Sequence, residues 1–404
     1  MRWIVFGIVG LSLPLPSAAL AEDPPGSPGP PEPPDLRKAE RELERARSEL
    51  EEIVGSRLLR QDAPALPEVP SSDLSPEESS FLDRLVESPP GDWTSGERER
   101  LAELLAGETT RLSAATSRGE AVSMDQLASR ALGLLQPSRL LVLRDRLAFA
   151  EGREGELVDG LADRLDLATR LWLQPGVVGA LAGGMVHLRA LQDVQLLAVE
   201  PTASREALER LDALLLRWRL EVPDPAAVVA REGLLTTDYD RFDAEYSALV
   251  PDEAAYAVFA APLARDLAEL ARRCRDDGCR AAVEAIENRF SEDDDPYRMI
   301  ARMMLPNLLD GVRKLTGTRE LTHLAQAAVA LRLEALELEG YPEDLERIAA
   351  RLGLAPEEAE TLVYERHPDG GATLRFASDR IVSETPERRR DLVRPLVAWD
   401  LPPV

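Results

Sequence analysis

Apolar residues along this chain recur mostly every three or four positions, with charged residues filling the gaps. The first such stripe is Leu36, Ala39, Leu43, Ala46, Leu50 and Ile53, a narrow seam of the coiled-coil kind on an amphipathic helix. Further stripes follow at Leu101, Leu104, Leu105 and Leu112, at Leu140, Leu143 and Leu147, and at Leu157, Leu161, Leu165, Ala168 and Trp172. Val177, Leu181, Met185, Leu188, Leu191 and Val194 make a longer one, and Leu208, Leu211, Leu214, Leu215 and Trp218 the next. Each fits the helical period of 3.6, and most meet a stop such as Glu151-Gly152, Pro175-Gly176, or Pro223 with Pro225. Near the C-terminus the period changes. Leu305-Pro306-Asn307-Leu308-Leu309 opens a helix, a long helix with Leu321, Leu324, Ala328, Leu331, Leu333 and Leu336 follows and ends at Gly340-Tyr341-Pro342, and a short helix with Leu345, Ile348 and Leu352 comes next. Leu362–Arg366 and Ala372–Phe376 then read as two strands joined by the turn His367-Pro368-Asp369-Gly370-Gly371, a β-hairpin. Ile381-Val382 is expected to add a short third strand.

These patterns predict a mainly α protein of stacked helical hairpins, an irregular bundle or a solenoid-like array, with a small C-terminal α+β module containing the β-hairpin. Leu140 to Leu173 loosely resembles a tetratricopeptide-type hairpin, although the chain has no strict repeat period. The expected segments are 1–21, 22–34, 35–60, 61–80, 81–295 and 296–404. In the first, Arg2 precedes the uncharged run Trp3 to Leu13, and Ala19-Leu20-Ala21 forms a small-x-small site, the order of a secretory signal peptide. The second and fourth are Pro-rich linkers. The third is the coiled-coil-like helix, whose seam at 36–53 offers self-association or packing on the chain's own body. The fifth is an all-helical body, and the sixth is the C-terminal helical and hairpin module. Ser75-Pro76-Glu77-Glu78 reads as a helix start. No segment after the leader is long and apolar enough to span a bilayer, the best being Val177 to Leu188. The expected location is periplasmic or extracellular.

The landmarks Pro306-Asn307-Leu308 and Gly340-Tyr341-Pro342, followed by the small antiparallel sheet, resemble the globular end of type II secretion pseudopilins. The likeness covers about residues 300–376. It departs from that family upstream, where only Met299 to Leu305 precedes the first landmark and Arg302 interrupts it. The family's long apolar N-terminal helix is thus missing, and its acidic calcium loop has no clear counterpart. The combination of leader, helical body and hairpin also resembles a group of uncharacterised exported proteins of environmental bacteria, a likeness that implies no activity.

Composition narrows the partners. The chain carries 73 acidic and 48 basic residues, a net charge of −25, which disfavours phosphate backbones and anionic lipid surfaces. Aromatics are 4% of residues, as suits helices packed on helices. Cys274 and Cys279, separated by Arg-Asp-Asp-Gly, read as a disulfide across a helix–helix turn in an oxidising compartment. No cofactor motif is found. His187, His323 and His367 fall in separate elements and lack zinc-ligand spacing. Lys38 and Lys314, the two lysines of the chain, follow neither a phosphate-loop Gly nor a Ser-x-x. Asp238, Asp240 and Asp243 could hold a cation or pair as catalytic carboxylates, yet lack the Gly and distal Glu of a calcium loop. Glu292-Asp293-Asp294-Asp295 reads as a solvated turn. Gly179, Gly183 and Gly184 read as a close helix contact, and Trp172 and Trp218 as core. The expected function is therefore a non-enzymatic exported interaction or scaffold protein of the cell envelope, binding a protein partner through its helical surface. The alternatives are a carboxylate-dependent envelope hydrolase acting on glycan or peptidoglycan through Asp238 and Asp240, and a small-ligand or cation binder.

Overall fold

Helix after helix forms where the stripes fall. The computed structural model describes residues 35–59, 64–70, 74–117, 119, 124–174, 177–239, 253–290, 299–354, 359–385, 387, 390 and 393–404. The signal-peptide and first-linker segments, Asp240, Asp243 and the acidic run at 292–295 lie outside the described residues. The seam becomes α1 (Leu36–Leu59), which lays Ala46, Leu50 and Val54 into the core against later helices of the same chain and leaves Leu36 exposed. Then come α2 (Pro76–Glu87), α3 (Ser95–Gly107), α4 (Thr109–Thr116), α5 (Met124–Gly133), α6 (Leu135–Ala150), α7 (Glu154–Trp172) and α8 (Val177–Ala198). They are followed by α9 (Arg205–Glu221), α10 (Pro225–Thr236), α11 (Glu253–Asp276), α12 (Cys279–Phe290) and α13 (Met299–Leu338).

Local chemistry sets the boundaries. Ser75 and Glu78 form a reciprocal capping box at the start of α2, with Glu78 N–H donating to Ser75 Oγ at 3.2 Å and Ser75 N–H to Glu78 Oε2 at 2.7 Å. Thr94 and Glu97 do the same for α3. Asp224 caps α10 by accepting from Ala227 N–H at 2.8 Å, with Pro225 at the first helical position. The stripe expected from Leu101 to Leu112 is split at Glu108, where α3 ends and α4 begins.

The long α13 differs from its expected form. It spans 40 residues and begins before Pro306, which sits inside it. Ala301 and Leu305 before the proline, and Leu308 and Leu309 after it, are all buried on one stripe. This burial carries the helix through a residue that cannot donate its own backbone hydrogen bond. The helix ends where Gly340 N–H reaches Ala335 O at 2.9 Å.

The C-terminal part adds α14 (Glu346–Leu352), closed by Gly353 at φ 61, then β1 (Leu362–Arg366), β2 (Ala372–Phe376), the one-turn α15 (Arg380–Glu384) and β3 (Ala398–Leu401). β1 and β2 pair antiparallel with Leu362 opposite Phe376 and Arg366 opposite Ala372, and β3 adds to β2 on its other side. The expected third strand at Ile381-Val382 is a helical turn instead. The place beside β2 is taken by Ala398–Leu401, whose side chains alternate out and in, with Trp399 and Leu401 buried.

Buried apolar residues form two clusters. One is lined by α2 to α6, and the larger by α1, α9 to α13 and the sheet. The α7–α8 hairpin stands between them. Leu167, Ala168 and Leu171 of α7 face the first cluster, while Leu157, Leu161, Leu165 and Trp172 face the second. The hairpin is tight because Gly183 lets the two backbones close up, and a Cβ there would lie 2.7 Å from Ala168 O. Among the described residues no helix is long and apolar enough to cross a membrane.

Candidate functional site

Among the described residues, His187, Trp172 and Trp218 come together in one buried cluster, while the cysteine pair, Asp238 and His367 stand on separate elements. Cys274, in the last turn of α11, and Cys279, at the start of α12, are joined as a disulfide across the α11–α12 turn. Asp238 follows the end of α10. His367 lies in the hairpin turn, where its Nε2 is 2.9 Å from Thr373 Oγ1, whose hydroxyl faces Asp400 at 2.6 Å. Among the described residues no group of three or more His, Cys, Asp or Glu side chains is placed to hold a metal ion.

The structure instead gathers charges that the periodicity had hidden. Asp145 and Arg146 of α6, Arg164 of α7 and Asp193 of α8 meet inside the wall between the two cores, and none is more than 6% exposed. Arg164 Nε lies 2.9 Å from Asp145 Oδ2, and its Nη1 lies 2.7 Å from Asp193 Oδ2. Arg146 Nε donates to Asp193 Oδ1 at 2.5 Å, and its Nη1 donates to Val86 O at 2.6 Å, tying in the end of α2. Arg144, partly exposed, covers Asp145 Oδ1 at 2.9 Å. Two carboxylates and two buried guanidinium groups thus neutralise one another at the junction of three helices. Burial pushes the Asp145 carboxyl up to about 6 against the opposing pull of Arg164 and Arg144. A Cβ on Gly160 would lie 2.1 Å from Asp145 Cγ, so a residue without a side chain is what admits the carboxylate. Paired in this way, the groups hold α6, α7 and α8 in register.

A second buried polar cluster lies where α7, α8, α9 and α13 meet. His187 of α8 is fully buried and stacks on Trp218 of α9, with centroids 3.8 Å apart and an interplanar angle of 12°. Trp172 of α7 meets Trp218 edge-on at 5.5 Å and donates its Nε1–H to Pro223 O at 3.1 Å. His187 Nε2 is 2.8 Å from Thr322 Oγ1 of α13. With no partner charge beside it, burial alone pushes the imidazole down to about 3, so the ring is neutral.

The surface supplies the remaining candidates. On α9 the inward face carries Leu208, Leu211, Leu215 and Trp218, yet Leu216 and Leu220 point outward, 41% and 69% exposed. Four residues apart, they stack as one apolar ridge on the outer side of the helix. Between α3, α4, α6 and α7 runs a groove of about 420 Å³, floored by Leu105, Leu112 and Leu147, rimmed by Thr109, Ser113 and Thr116, and closed at one end by Arg144, Arg153 and Glu156. Arg153 is already engaged by Glu151 and Glu156. Comparison with known protein families, curated proteins and solved structures finds no match to the chain.

Proposed function

We propose that this chain is an exported, non-enzymatic interaction protein of the cell envelope that binds a protein partner through its helical surface. The observation that carries this reading is the ridge of Leu216 and Leu220. A helix with apolar residues already buried on its inner face leaves a second pair of leucines in water at a cost, unless a partner covers them. The leader-like order from Arg2 to Ala21 supports export, and the net charge of −25 favours a partner with basic residues beside its own apolar contact. The buried ionic groups are spent on holding helices together, in keeping with a rigid body that presents a surface.

Affinity capture from the native envelope tests the reading. Tagged full-length chain is compared with the Leu216→Asp/Leu220→Asp variant, which touches only exposed positions. The expected outcome is one stoichiometric protein recovered with the native chain and lost with the variant. Equal recovery with both chains, or a chain retained in the cytoplasm, contradicts the proposal.

A further inference from the structure

The His187 cluster has a protonation state fixed by its neighbours. The Thr322 hydroxyl donates to Thr318 O at 2.7 Å, so Thr322 Oγ1 accepts from His187 Nε2–H. The ring is therefore the Nε2–H tautomer, and the bare lone pair is on Nδ1. That atom is buried and has no hydrogen-bond partner among the described residues. The groups shown against the ring are Trp218 from α9 and Thr322 from α13, with Trp172 of α7 edge-on to Trp218 and Thr318 accepting from Thr322 behind them. None of them carries a negative charge. The charged residues nearby on the same helices are engaged elsewhere. Arg219 donates to Leu352 O at 2.7 Å, Arg319 to Val222 O at 3.4 Å and Arg189 to Leu135 O at 3.4 Å, and Asp193 holds Arg146 and Arg164. His323, next to Thr322 on α13, is partly exposed.

A proton arriving at Nδ1 would thus place a full charge in a buried junction, with a new N–H that has no acceptor among the described residues. We propose that His187 is an acid-sensitive latch, so that its protonation requires α9 to part from α8 and α13 and mild acid opens this junction ahead of the rest of the fold. The burial-lowered basicity of the ring agrees with this geometry. The sign follows from linkage. The folded ring titrates well below the ordinary histidine value of about 6.5, so its stabilising contribution is complete above that pH and is lost as pH falls towards about 3. Opening is coupled to the uptake of one proton, so it becomes about tenfold easier per pH unit below about pH 6.

Hydrogen exchange on the full chain, resolved by segment between pH 6.5 and pH 4.5, reads this directly. Protection of the α9 amides, corrected for the chemical exchange rate, is expected to fall about tenfold per pH unit. In His187→Gln, which keeps a donor towards Thr322 and cannot be protonated, the α9 slope is expected to flatten. A native slope near zero, or the same slope in His187→Gln, overturns the proposal. Should that variant not fold, the native chain still decides the matter. The latch requires a steeper slope in α9 than in α2 to α6, and equal slopes in both overturn it.

Discussion

At the residue scale the most consequential feature is the buried ionic cluster, and it explains why its members eluded the sequence. Asp145, Arg146 and Arg164 stand among other charged residues on α6 and α7, where spacing alone does not distinguish an inward charge from a solvated one, whereas Asp193 shares the largely apolar α8 with one other charged residue, Arg189. Only the meeting of α6, α7 and α8 turns them towards each other. Gly160 was an available clue, because a glycine inside a helical stripe costs stability unless something approaches it closely. Removing one partner leaves buried charge uncompensated. Asp193→Asn is therefore expected to destabilise the chain by about 3–5 kcal/mol in denaturant unfolding, because both Arg146 and Arg164 lose their shared carboxylate. A loss below about 1 kcal/mol would show that the cluster is wetter than its burial indicates. Gly160→Ala drives a methyl into the Asp145 carboxylate and is expected to cost about 1–3 kcal/mol by the same measurement.

At the element scale the sequence was most legible where local rules and burial agreed. Both strands of the hairpin fall at Leu362–Arg366 and Ala372–Phe376 as read, because β-branched and aromatic residues, the alternation of Ala372–Phe376 and a Gly-rich turn coincide there. The capping residue Ser75 marked the start of α2 for a similar reason. The failures occurred where tertiary contact overrode a local signal. The local rule for proline opens a helix at Leu305-Pro306, yet core burial on both sides of Pro306 keeps α13 continuous. Ile381-Val382 had the composition of a strand, but the vacant side of β2 was filled by the alternating segment Ala398–Leu401, a weaker signal that carries Trp399 into the core. Cap chemistry also gives a prediction at this scale. Asp224→Ala removes the acceptor for Ala227 N–H and is expected to cost about 1 kcal/mol, read as a lower midpoint of thermal unfolding. An unchanged midpoint would mean that Pro225 alone sets the start of α10.

At the scale of the whole molecule, polar contacts tie distant parts of the chain together. Arg332 of α13, 1% exposed, donates to Pro402 O at 2.9 Å and to Pro201 O at 3.1 Å, and Tyr341 OH donates to Pro402 O at 3.0 Å. The Gly340-Tyr341-Pro342 landmark noticed in the sequence is thus part of the clasp that holds the segment after β3. Composition and periodicity foretold the mainly α architecture with its small sheet, since helix stripes and apolar content are averages over many residues. The division of the core by the α7–α8 hairpin was not foretold, because it depends on which of two apolar faces meets which neighbour. Site-specific photo-crosslinking in the intact envelope tests most directly whether the outer face of α9 meets a protein partner. A crosslinker at position 220 is compared with one at Glu206, an exposed position on the first turn of the same helix. The account predicts a single protein adduct from position 220 that disappears when Leu216 is replaced by Asp. No adduct, or the same set of adducts from both positions, would contradict it.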